Sequence, residues 1–273
     1  MHESNRAGWN EGAARYLEQV ERDIERLRAG HKNLCPPELD LLRDLGAWCR
    51  RAIHLQCAGG LDTLSLWRHG AAEVVGVDIS DVMIECARRK SEALGAPATW
   101  YRCDVLDTPR ELDGTADLVY TGRGALTWIQ DLGAWAAVVA RLLAPGGRLY
   151  VFETHPITWI FDPEAPTVKL CEADPNDPEL GPFMSYFSER ASVSRGWSPQ
   201  YIGELDRPRS ALSAKFERQW TIGALLNALI GAGLLLERFE EHPDRFWQDF
   251  PNMPAEIADR FPHSFSLLML RPA

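Results

Sequence analysis

The sequence predicts an α/β protein with a mostly parallel sheet of seven strands, an antiparallel last strand and helices on both faces. Between residues 52 and 153, short apolar runs of strand length alternate with helical stretches. This alternation is typical of parallel strands that are buried on both faces and connected by helices. The chain has 273 residues, 45% of them hydrophobic and 25% charged, which suits one such domain with an insertion.

The first 50 residues predict a helical extension that caps this domain. Apolar side chains recur at helical spacing from Trp9 to Leu27, which indicates one amphipathic helix from about Asn5 to Gly30. Cys35-Pro36-Pro37 ends this pattern. A second helix is expected from Glu38 to about Trp48.

Residues 51–155 predict the core of the sheet. The expected strands are Ala52–Cys57, Glu73–Asp78, Thr99–Arg102, Asp117–Thr121 and Arg148–Glu153, and the expected helices are Asp62–His69, Asp81–Leu94 and Leu132–Leu143. Pro145-Gly146-Gly147 is expected to form the turn between the last of these helices and the fifth strand.

The regular alternation stops between residues 156 and 214, where prolines and aromatic residues are interleaved. A long irregular segment in a compact domain usually has a function, so we predict an inserted substrate lid here. Residues 215–273 are expected to complete the core sheet with the helix Thr221–Ala232 and the strands Leu234–Glu240 and Phe265–Leu270. The last two strands are expected to form a hairpin-like antiparallel edge.

Composition disfavours several classes of function. The formal net charge of -10, without a long run of Lys or Arg, disfavours a nucleic-acid partner. No apolar run reaches the length of a membrane span and the N-terminus does not resemble a signal peptide, so we expect a cytoplasmic protein without a membrane partner. The six cysteines include no CxxC pair, which favours reduced, packed thiols and no metal site.

Candidate binding residues follow the first three strands, since an open parallel sheet binds ligands outside the carboxyl ends of its strands. The small residues Ala58-Gly59-Gly60 let the backbone approach a ligand, although a tight turn without a ligand is the alternative. Asp78 can accept both hydroxyls of a ribose, unless it only caps the next helix. Asp104 and the amide of Val105 suit the edge of an adenine, although Asp104 alone would be an unremarkable loop residue.

These features in this order resemble the class I S-adenosylmethionine (SAM) dependent methyltransferases. The stretch HLQCAGGLDTLSLWRHGAAEVVGVDISDVMIECAR is similar to a bacterial small-molecule branch whose loop often reads HLQC..G.DTLS. Three further stretches also resemble that branch: DLVYTGRGALTWIQDLGAWA, PGGRLYVFETHP and ALLNALIGAGLLLERFEEHP. The resemblance covers roughly residues 5–270 and implies a Rossmann-like fold, and the missing GxGxxG fingerprint disfavours a dinucleotide enzyme.

The chain departs from the family in the loop after the first strand. The usual acidic-x-Gly-x-Gly-x-Gly reads His54-x-Gln56-x-Ala58-x-Gly60 here, so only the last glycine is kept. By resemblance, Asp78 would hold the ribose of SAM, and Tyr16 on the N-terminal helix would close over its methionine end. The full set of residues expected to bind the cofactor is Tyr16, Gln56, Ala58, Gly59, Gly60, Asp78, Ile79, Met83, Asp104, Val105, Thr121 and Gly122.

Candidate catalytic residues are His155, Arg123 and Tyr16. His155 follows the fifth strand and is either a general base or a structural hydrogen-bonding residue ahead of Pro156. Arg123 either binds a carboxylate of the substrate or lines the entrance to the site. Glu153, at the end of an apolar strand, is expected to orient another group.

The expected function is that of a SAM-dependent methyltransferase (EC 2.1.1.-) acting on a small-molecule acceptor. The aromatic residues of the lid favour an aromatic acceptor, such as an indole- or phenol-like intermediate of secondary metabolism. Whether carbon, nitrogen or oxygen is methylated is left open, as is the choice between a monomer and a homodimer. The alternative function is a non-catalytic regulatory module that binds SAM or a nucleotide.

Overall fold

The computed structural model describes residues 1–172, 185–197, 201–247 and 249–273. Its strands are β1 Arg51–Leu55, β2 Glu73–Asp78, β3 Ala98–Arg102, β4 Ala116–Gly122, β5 Leu143–Thr154, β6 Ser192–Arg195, β7 Ala214–Glu217, β8 Leu235–His242 and β9 Ser264–Leu270. Its helices are α1 His2–Gly12, α2 Ala14–Arg28, α3 Pro36–Leu41, α4 Leu45–Trp48, α5 Leu61–His69, α6 Asp81–Leu94, α7 Leu132–Leu142, α8 Ile222–Gly231 and α9 Ala255–Ala258.

The main sheet of the described residues has seven strands in the order β3-β2-β1-β4-β5-β9-β8. The five strands from β1 to β5 pair in parallel. Strand β9 lies between β5 and β8 and is antiparallel to both. The predicted mostly parallel sheet with an antiparallel last strand is therefore confirmed. The edge itself is formed by β8, because β9 is inserted next to β5.

Both faces of this sheet are covered, as predicted. Ile53 and Leu55 of β1 pack in one hydrophobic cluster with Trp135 of α7 and Leu229 of α8. Side chains on the opposite face, including Ala52, pack against helices α3, α4 and α5 and the loops beside them. Alternate side chains of β1 thus pack into two hydrophobic cores, one on each face of the sheet, as is expected for parallel strands with two buried faces.

The prediction of one long N-terminal helix is wrong. Helix α1 ends at Gly12 and α2 begins at Ala14, with the fully buried Ala13 between them. A Cβ added at Gly12 would lie 2.7 Å from the indole nitrogen of Trp197, so glycine permits close packing against the lid where the helix breaks. The second predicted helix is likewise divided into α3 and α4, because Asp44 adopts a left-handed backbone with φ of 55°.

The prediction for Pro145-Gly146-Gly147 also needs correction. Strand β5 begins at Leu143, directly after α7, and includes these three residues. Gly146 has a φ of 78°, and the register of β4 and β5 shifts between Ala116 and Leu118. The three residues therefore lie in an irregular part of the strand and not in a separate turn.

Strand β6 of the predicted lid pairs antiparallel with β7. Strand β7 lies almost entirely in the segment that was expected to complete the core sheet, and sequence patterning indicated neither strand. Asn5 of α1 exchanges two hydrogen bonds with the backbone of Phe216 on β7, its amide nitrogen at 2.9 Å and its carbonyl oxygen at 2.6 Å. Helix α1 is thus bound to the strand that pairs with the lid. Several lid residues named for their proline or aromatic character lie outside the described residues, namely Pro175, Pro178, Pro182 and Phe183.

The six cysteines are free. Within residues 1–172, 185–197, 201–247 and 249–273, no group of three or more His, Cys, Asp or Glu side chains could hold a metal ion. A helix of the length and apolar character needed to cross a membrane is not found in the same ranges.

Candidate functional site

The sheet brings the two candidate carboxylates together at its carboxyl edge. Asp78, the last residue of β2, pairs in register with Arg102 of β3. The amide of Cys103 donates to the carbonyl of Asp78 at 3.1 Å, and Asp104 follows directly. Asp78, expected at the ribose, and Asp104, expected at the adenine, therefore lie at the ends of two adjacent strands.

The carboxylate of Asp78 organises the backbone around it. Its two oxygens each accept an amide hydrogen bond of 2.8 Å, one from Ala58 and one from Ser80. Burial raises the pKa of Asp78 to about 6, and these amide donors oppose the rise. Because each carboxylate oxygen can accept more than one hydrogen bond, Asp78 retains acceptor capacity for hydroxyl groups of a ligand.

In the loop after β1, close packing requires glycine at position 60. Gly60 has a φ of 76°, and a Cβ there would lie 2.7 Å from both Ala87 and the Trp100 ring. Gln56 and Ala58 also have positive φ values, 58° and 45°. These non-glycine residues thus adopt a left-handed backbone at a cost in strain, as is often found at functional sites.

Two of the three residues that replace the usual family pattern, His54 and Gln56, have side chains with identifiable partners. The imidazole of His54 lies 2.8 Å from the hydroxyl of Thr63 on α5. Burial lowers the pKa of His54 to about 4, so the ring is neutral at pH 7. Gln56 donates from its side-chain nitrogen to the carbonyl of Ala125 at 2.7 Å. The buried oxygen Oε1 of Gln56 has no hydrogen-bond partner among the described residues and is a candidate acceptor for a ligand.

Helix α1 lies across the carboxyl edge of the sheet. The imidazole of His2 contacts Asp104, whose other carboxylate oxygen accepts the amide of Leu106 at 3.0 Å. Asn10 accepts from the Ser80 hydroxyl at 2.6 Å and donates to Asp81 at 3.1 Å. A ligand amine at Asp104 would therefore compete with His2.

The remaining candidate cofactor residues lie on the same edge. Thr121 is fully buried, and its hydroxyl donates to the carbonyl of Leu55 at 3.2 Å. A Cβ added at Gly122 would collide with the backbone of Phe152 on β5. Val105 and Met83 are buried and Ile79 is half-buried. The edge is thus tightly packed below the loop.

Tyr16 lies over the loop after β1, as the resemblance implies. A Cβ added at Gly59 would come within 3.3 Å of the Tyr16 ring. The hydroxyl of Tyr16 lies 2.6 Å from that of Tyr201, a partner that the sequence pattern did not identify. Burial raises the pKa of Tyr16 to about 12, so the side chain is a neutral phenol at pH 7.

The guanidinium of Arg123 is bound by groups of the N-terminal extension and α5. It contacts the carboxylate of Glu38 and the carbonyl of Asn33, and it lies 3.3 Å from Asp62. Tyr120 donates to the second carboxylate oxygen of Glu38. Only 11% of the Arg123 side chain is exposed. These contacts leave Arg123 joining α3 to the segment after β4, and they favour a structural role over direct binding of a substrate carboxylate.

Both ring nitrogens of His155 have partners. Nδ1 accepts from the amide of Ile157 at 3.2 Å, and Nε2 lies 2.9 Å from Glu241 on β8. Burial lowers the pKa of His155, while the carboxylate of Glu241 opposes this. The geometry favours the structural alternative, in which His155 caps the 3₁₀ turn Pro156–Ile160.

Glu153 organises the segment after β4, in agreement with its predicted orienting role. Its carboxylate accepts amide hydrogen bonds from Ala125 at 2.9 Å, Leu126 at 3.1 Å and Thr154 at 3.0 Å, and another from Gly124. Burial raises its pKa and the amides lower it. One carboxylate thereby fixes a turn that no hydrophobic pattern specifies.

A small cavity lies beside this turn, at the carboxyl ends of β4 and β5. Three of the residues that line it have a buried polar atom without a hydrogen-bond partner in the described part of the chain: Oγ1 of Thr127, Nε of Arg218 and Oε1 of Gln219. We refer to it as the polar cavity. Its lining residues are Gly124, Leu126, Thr127, Glu153, Thr154, Pro156, Trp159, Arg218, Gln219, Trp220, Ile222, Leu225 and Phe265. Unpaired polar atoms in one cavity indicate a site for a polar ligand group or for water.

An aromatic cluster lies above the edge, where α1 meets the lid. The ring centroid of Trp9 lies 5.2 Å from that of Trp128 and 4.5 Å from that of Trp197. Tyr201 lies 5.9 Å from Trp197 and 4.6 Å from Trp247. We refer to these five residues as the aromatic cluster. Only the part of it in the lid was expected from composition, and the contribution of α1 was not.

The arrangement fits a nucleoside that carries an amino-acid group. Asp78 offers acceptors for ribose hydroxyls, and Asp104 with Val105 lies just after the next strand, where an adenine edge can be bound. The unpartnered Oε1 of Gln56 and the glycines of the loop lie at the end of β1, towards the position expected for the amino-acid group.

Comparisons with known proteins indicate a methyltransferase domain. Residues 52–147 match the family model described as a methyltransferase domain. The demethylmenaquinone methyltransferase of Thermus thermophilus is 37% identical over 139 residues, which are 44% of this chain and 62% of that protein. The trans-aconitate 2-methyltransferase of Methylobacterium radiotolerans is 38% identical over 107 residues, 37% of each protein. The matched region thus spans less than two thirds of either relative.

The structural comparison extends over most of the chain. The crystal structure of a SAM-dependent methyltransferase from Mesorhizobium loti superposes with a TM-score of 0.54 at 23% sequence identity. The superposition covers 86% of this chain and 97% of that one. At this level of identity the superposition establishes a shared fold.

Proposed function

We propose that the chain is a class I SAM-dependent methyltransferase, with SAM as its cofactor, and that it methylates a small molecule. The methyltransferase-domain match of residues 52–147 and the shared fold support this proposal. The observation that carries it is the position of Asp78 at the end of β2, next to the end of β3 that Asp104 follows, with a hydrogen bond to Ala58 of the loop after β1. The names of the two relatives described above, which refer to demethylmenaquinone and trans-aconitate, support a small-molecule acceptor.

In this proposal the chain holds SAM along the edge of the sheet. Asp78 accepts hydrogen bonds from the ribose, and Asp104 and Val105 bind the adenine edge after His2 has moved. The loop Gln56–Gly60 and Tyr16 face the methionine end. Ile79, Met83, Thr121 and Gly122 complete the walls of the site.

When bound, SAM supplies an electrophilic methyl group, so the protein's main task is to position the acceptor. Correct alignment of two reactants can account for roughly 7–11 kcal/mol of barrier reduction. Glu153 supports this task by fixing the turn between β4 and the polar cavity. Tyr16 excludes water from the methionine end, because its neutral ring covers Gly59.

We further propose that the acceptor is aromatic, an indole- or phenol-like intermediate. The aromatic cluster supports this, because ring stacking favours flat acceptors over sugars or aliphatic acids. Base catalysis by His155 and substrate binding by Arg123 stay predictions, and the contacts of both side chains support structural roles instead.

Calorimetry with S-adenosylhomocysteine (SAH), the demethylated product of SAM, tests the cofactor site. Asp78→Ala should weaken SAH binding by about tenfold or more, because a hydrogen bond to a charged group contributes about 1.5–3 kcal/mol. Asp40→Ala, at an exposed carboxylate on α3, is the matched control and should bind like the wild type. Unchanged affinity in Asp78→Ala would refute the assigned site.

Turnover separates the enzyme from the non-catalytic alternative. SAM and a panel of indoles and phenols should yield SAH and a product heavier by one methylene unit, as measured by mass spectrometry. Tight SAM binding without SAH formation over a broad panel of acceptors would favour the regulatory module.

A further inference from the structure

Lys215 is a buried cation inside the aromatic cluster. It lies on β7 in register with Ser194 of β6, and only 5% of the residue is exposed. Its ammonium nitrogen is 3.9 Å from the ring centroid of Trp197 and 5.7 Å from that of Trp128. A Cβ added at Gly8 of α1 would lie 2.6 Å from the Lys215 side chain, so glycine at this position makes room for the lysine.

The carboxylates whose charges act on Lys215 are Glu217 and Glu11, and both have other partners. Glu217 accepts from Ser194 at 2.9 Å, and Glu11 accepts from Ser213 and lies 3.6 Å from Arg207. Burial lowers the pKa of Lys215, as does the charge of Arg209, while the charges of Glu217 and Glu11 oppose this.

Contact with aromatic faces compensates this charge only in part. Cation–π contacts use the electrostatic field of the rings, whereas an ammonium also has three N–H donors that require acceptors. Burial of a charge is unfavourable where its N–H donors are not fully matched by acceptors. A ligand that brings an anionic group to Lys215 would remove this penalty.

The position of Lys215 connects it to the proposed reaction site. Trp128 directly follows Thr127, whose hydroxyl is one of the unpartnered polar atoms of the polar cavity. Trp9 directly precedes Asn10, which contacts Ser80 at the end of β2. The ammonium of Lys215 thus lies within the aromatic cluster, whose rings extend from the carboxyl edge of the sheet to the polar cavity.

We propose that Lys215 is the anion-binding residue of the acceptor site and that the acceptor is an aromatic molecule with a carboxylate group. This inference rests on the proposed methyltransferase function and specifies its substrate class. The rings of the aromatic cluster contact the aromatic part of the acceptor, while the ammonium donates to the carboxylate. The alternative is that Lys215 has only a packing role.

Two probes of nearly equal shape test the proposal. Calorimetry with SAH-saturated protein measures the binding of 4-hydroxybenzoate and of 4-hydroxybenzamide, which differ in charge. Wild-type protein should bind the carboxylate at least about tenfold more tightly than the amide. Equal affinities, or no binding of either probe, would overturn the proposal without any variant.

Substitution then assigns the preference to one side chain. Lys215→Met should bring the two affinities to within about threefold, and Lys215→Arg should retain the preference. Lys169→Met, at a lysine of the lid with 51% exposure, is the control and should behave like the wild type. A preference that persists in Lys215→Met would show that another group binds the anion. If that variant fails to fold, Lys215→Arg with retained preference supports the assignment, and equal affinities of the wild type for the two probes still overturn it.

SAH titrations keep this test separate from that of the proposed function. SAH binding without a carboxylate preference would remove Lys215 and leave the methyltransferase proposal standing. A carboxylate preference that is measured without SAH, in protein that does not bind SAH, would retain the anion site and remove the cofactor site.

Discussion

The ammonium of Lys90 on α6 lies 2.8 Å from the carboxylate of Asp23 on α2, and the two side chains are only 1% and 3% exposed. A Cβ added at Gly59 would come within 3.4 Å of the same ammonium nitrogen. This ion pair therefore holds α2, and with it Tyr16, against the loop after β1.

Asp23→Asn should destabilise the protein by about 3–5 kcal/mol, because it leaves the charge of Lys90 buried without a counter-charge. Urea denaturation measures the free energy of unfolding. Glu21→Gln is a matched control, since Glu21 pairs with Arg89 across the same two helices with 77% and 46% exposure and should contribute less than about 1 kcal/mol. Equal losses in both variants would contradict a special role for the buried pair.

SAH affinity should depend on pH through Asp78. The pKa of this residue is raised to about 6, and the ionised carboxylate is the better acceptor for ribose hydroxyls. Affinity should therefore be constant near pH 7 and fall as the pH drops below about 6, by up to tenfold per pH unit. Calorimetry from pH 5 to 7 stays below the range in which an α-amino group titrates. Asp78→Asn should bind weakly without this pH dependence, and the same slope in both proteins would exclude Asp78 as its source.

His54 should make the folded state sensitive to acid. Its pKa of about 4 in the folded protein lies below the ordinary value of 6.5, so between these pH values the unfolded chain binds a proton that the folded chain does not. The free energy of unfolding should decrease by about 3 kcal/mol as the pH falls from 6.5 to 4.

His54→Gln should lack this part of the pH dependence when both proteins are unfolded with urea across that range. His31→Gln, at an exposed histidine, should keep the full slope. A His54→Gln slope equal to that of the wild type would mean that other groups carry the acid sensitivity.

Glu153→Gln should impair both stability and catalysis. Glutamine presents one oxygen and an NH₂ group to amides that now donate to two carboxylate oxygens, which should cost about 1–3 kcal/mol. Because the turn that it fixes borders the polar cavity, kcat should fall more than SAH affinity. Denaturation, steady-state kinetics and calorimetry measure the three quantities. Glu237→Gln, in a surface pair with Arg148, should change none of them appreciably.

His155→Asn should retain turnover to within about threefold, because asparagine can also accept a hydrogen bond from the amide at the start of a turn. His155→Ala should lose about 1 kcal/mol of stability. If His155 is instead the general base, the asparagine variant should lose about 10²–10⁴-fold in turnover together with the acidic limb of the pH–rate profile. Measuring kcat against pH for both variants distinguishes these outcomes.

The sequence predicted the core sheet because its strands are continuous apolar runs with clear helices between them. It also predicted which residues follow each strand, and hence that Asp78 and Asp104 would share an edge. The short strands β6 and β7 have mixed composition, and their pairing depends on contacts with α1. Likewise, no local pattern reveals that α1 ends where Gly12 meets Trp197.

The partners of the candidate side chains could not be predicted for a related reason. Arg123 binds Glu38, which is 85 residues away in the sequence, and His155 contacts Glu241 on a different strand. Residue type alone suggested chemistry for Arg123 and His155. Their burial and their hydrogen bonds, which depend on the whole fold, favour structural roles.

Helix α1 is attached on one side to Ser80, Asp81 and Asp104 and on the other to the backbone of β7. If both ligands bind where we propose, this single helix is a shared wall of two neighbouring compartments. Detachment of α1 would then open both compartments at once, so that SAH and the methylated acceptor would be released in the same step. Such coupling makes the departure of α1 a natural candidate for the slowest step of each catalytic cycle.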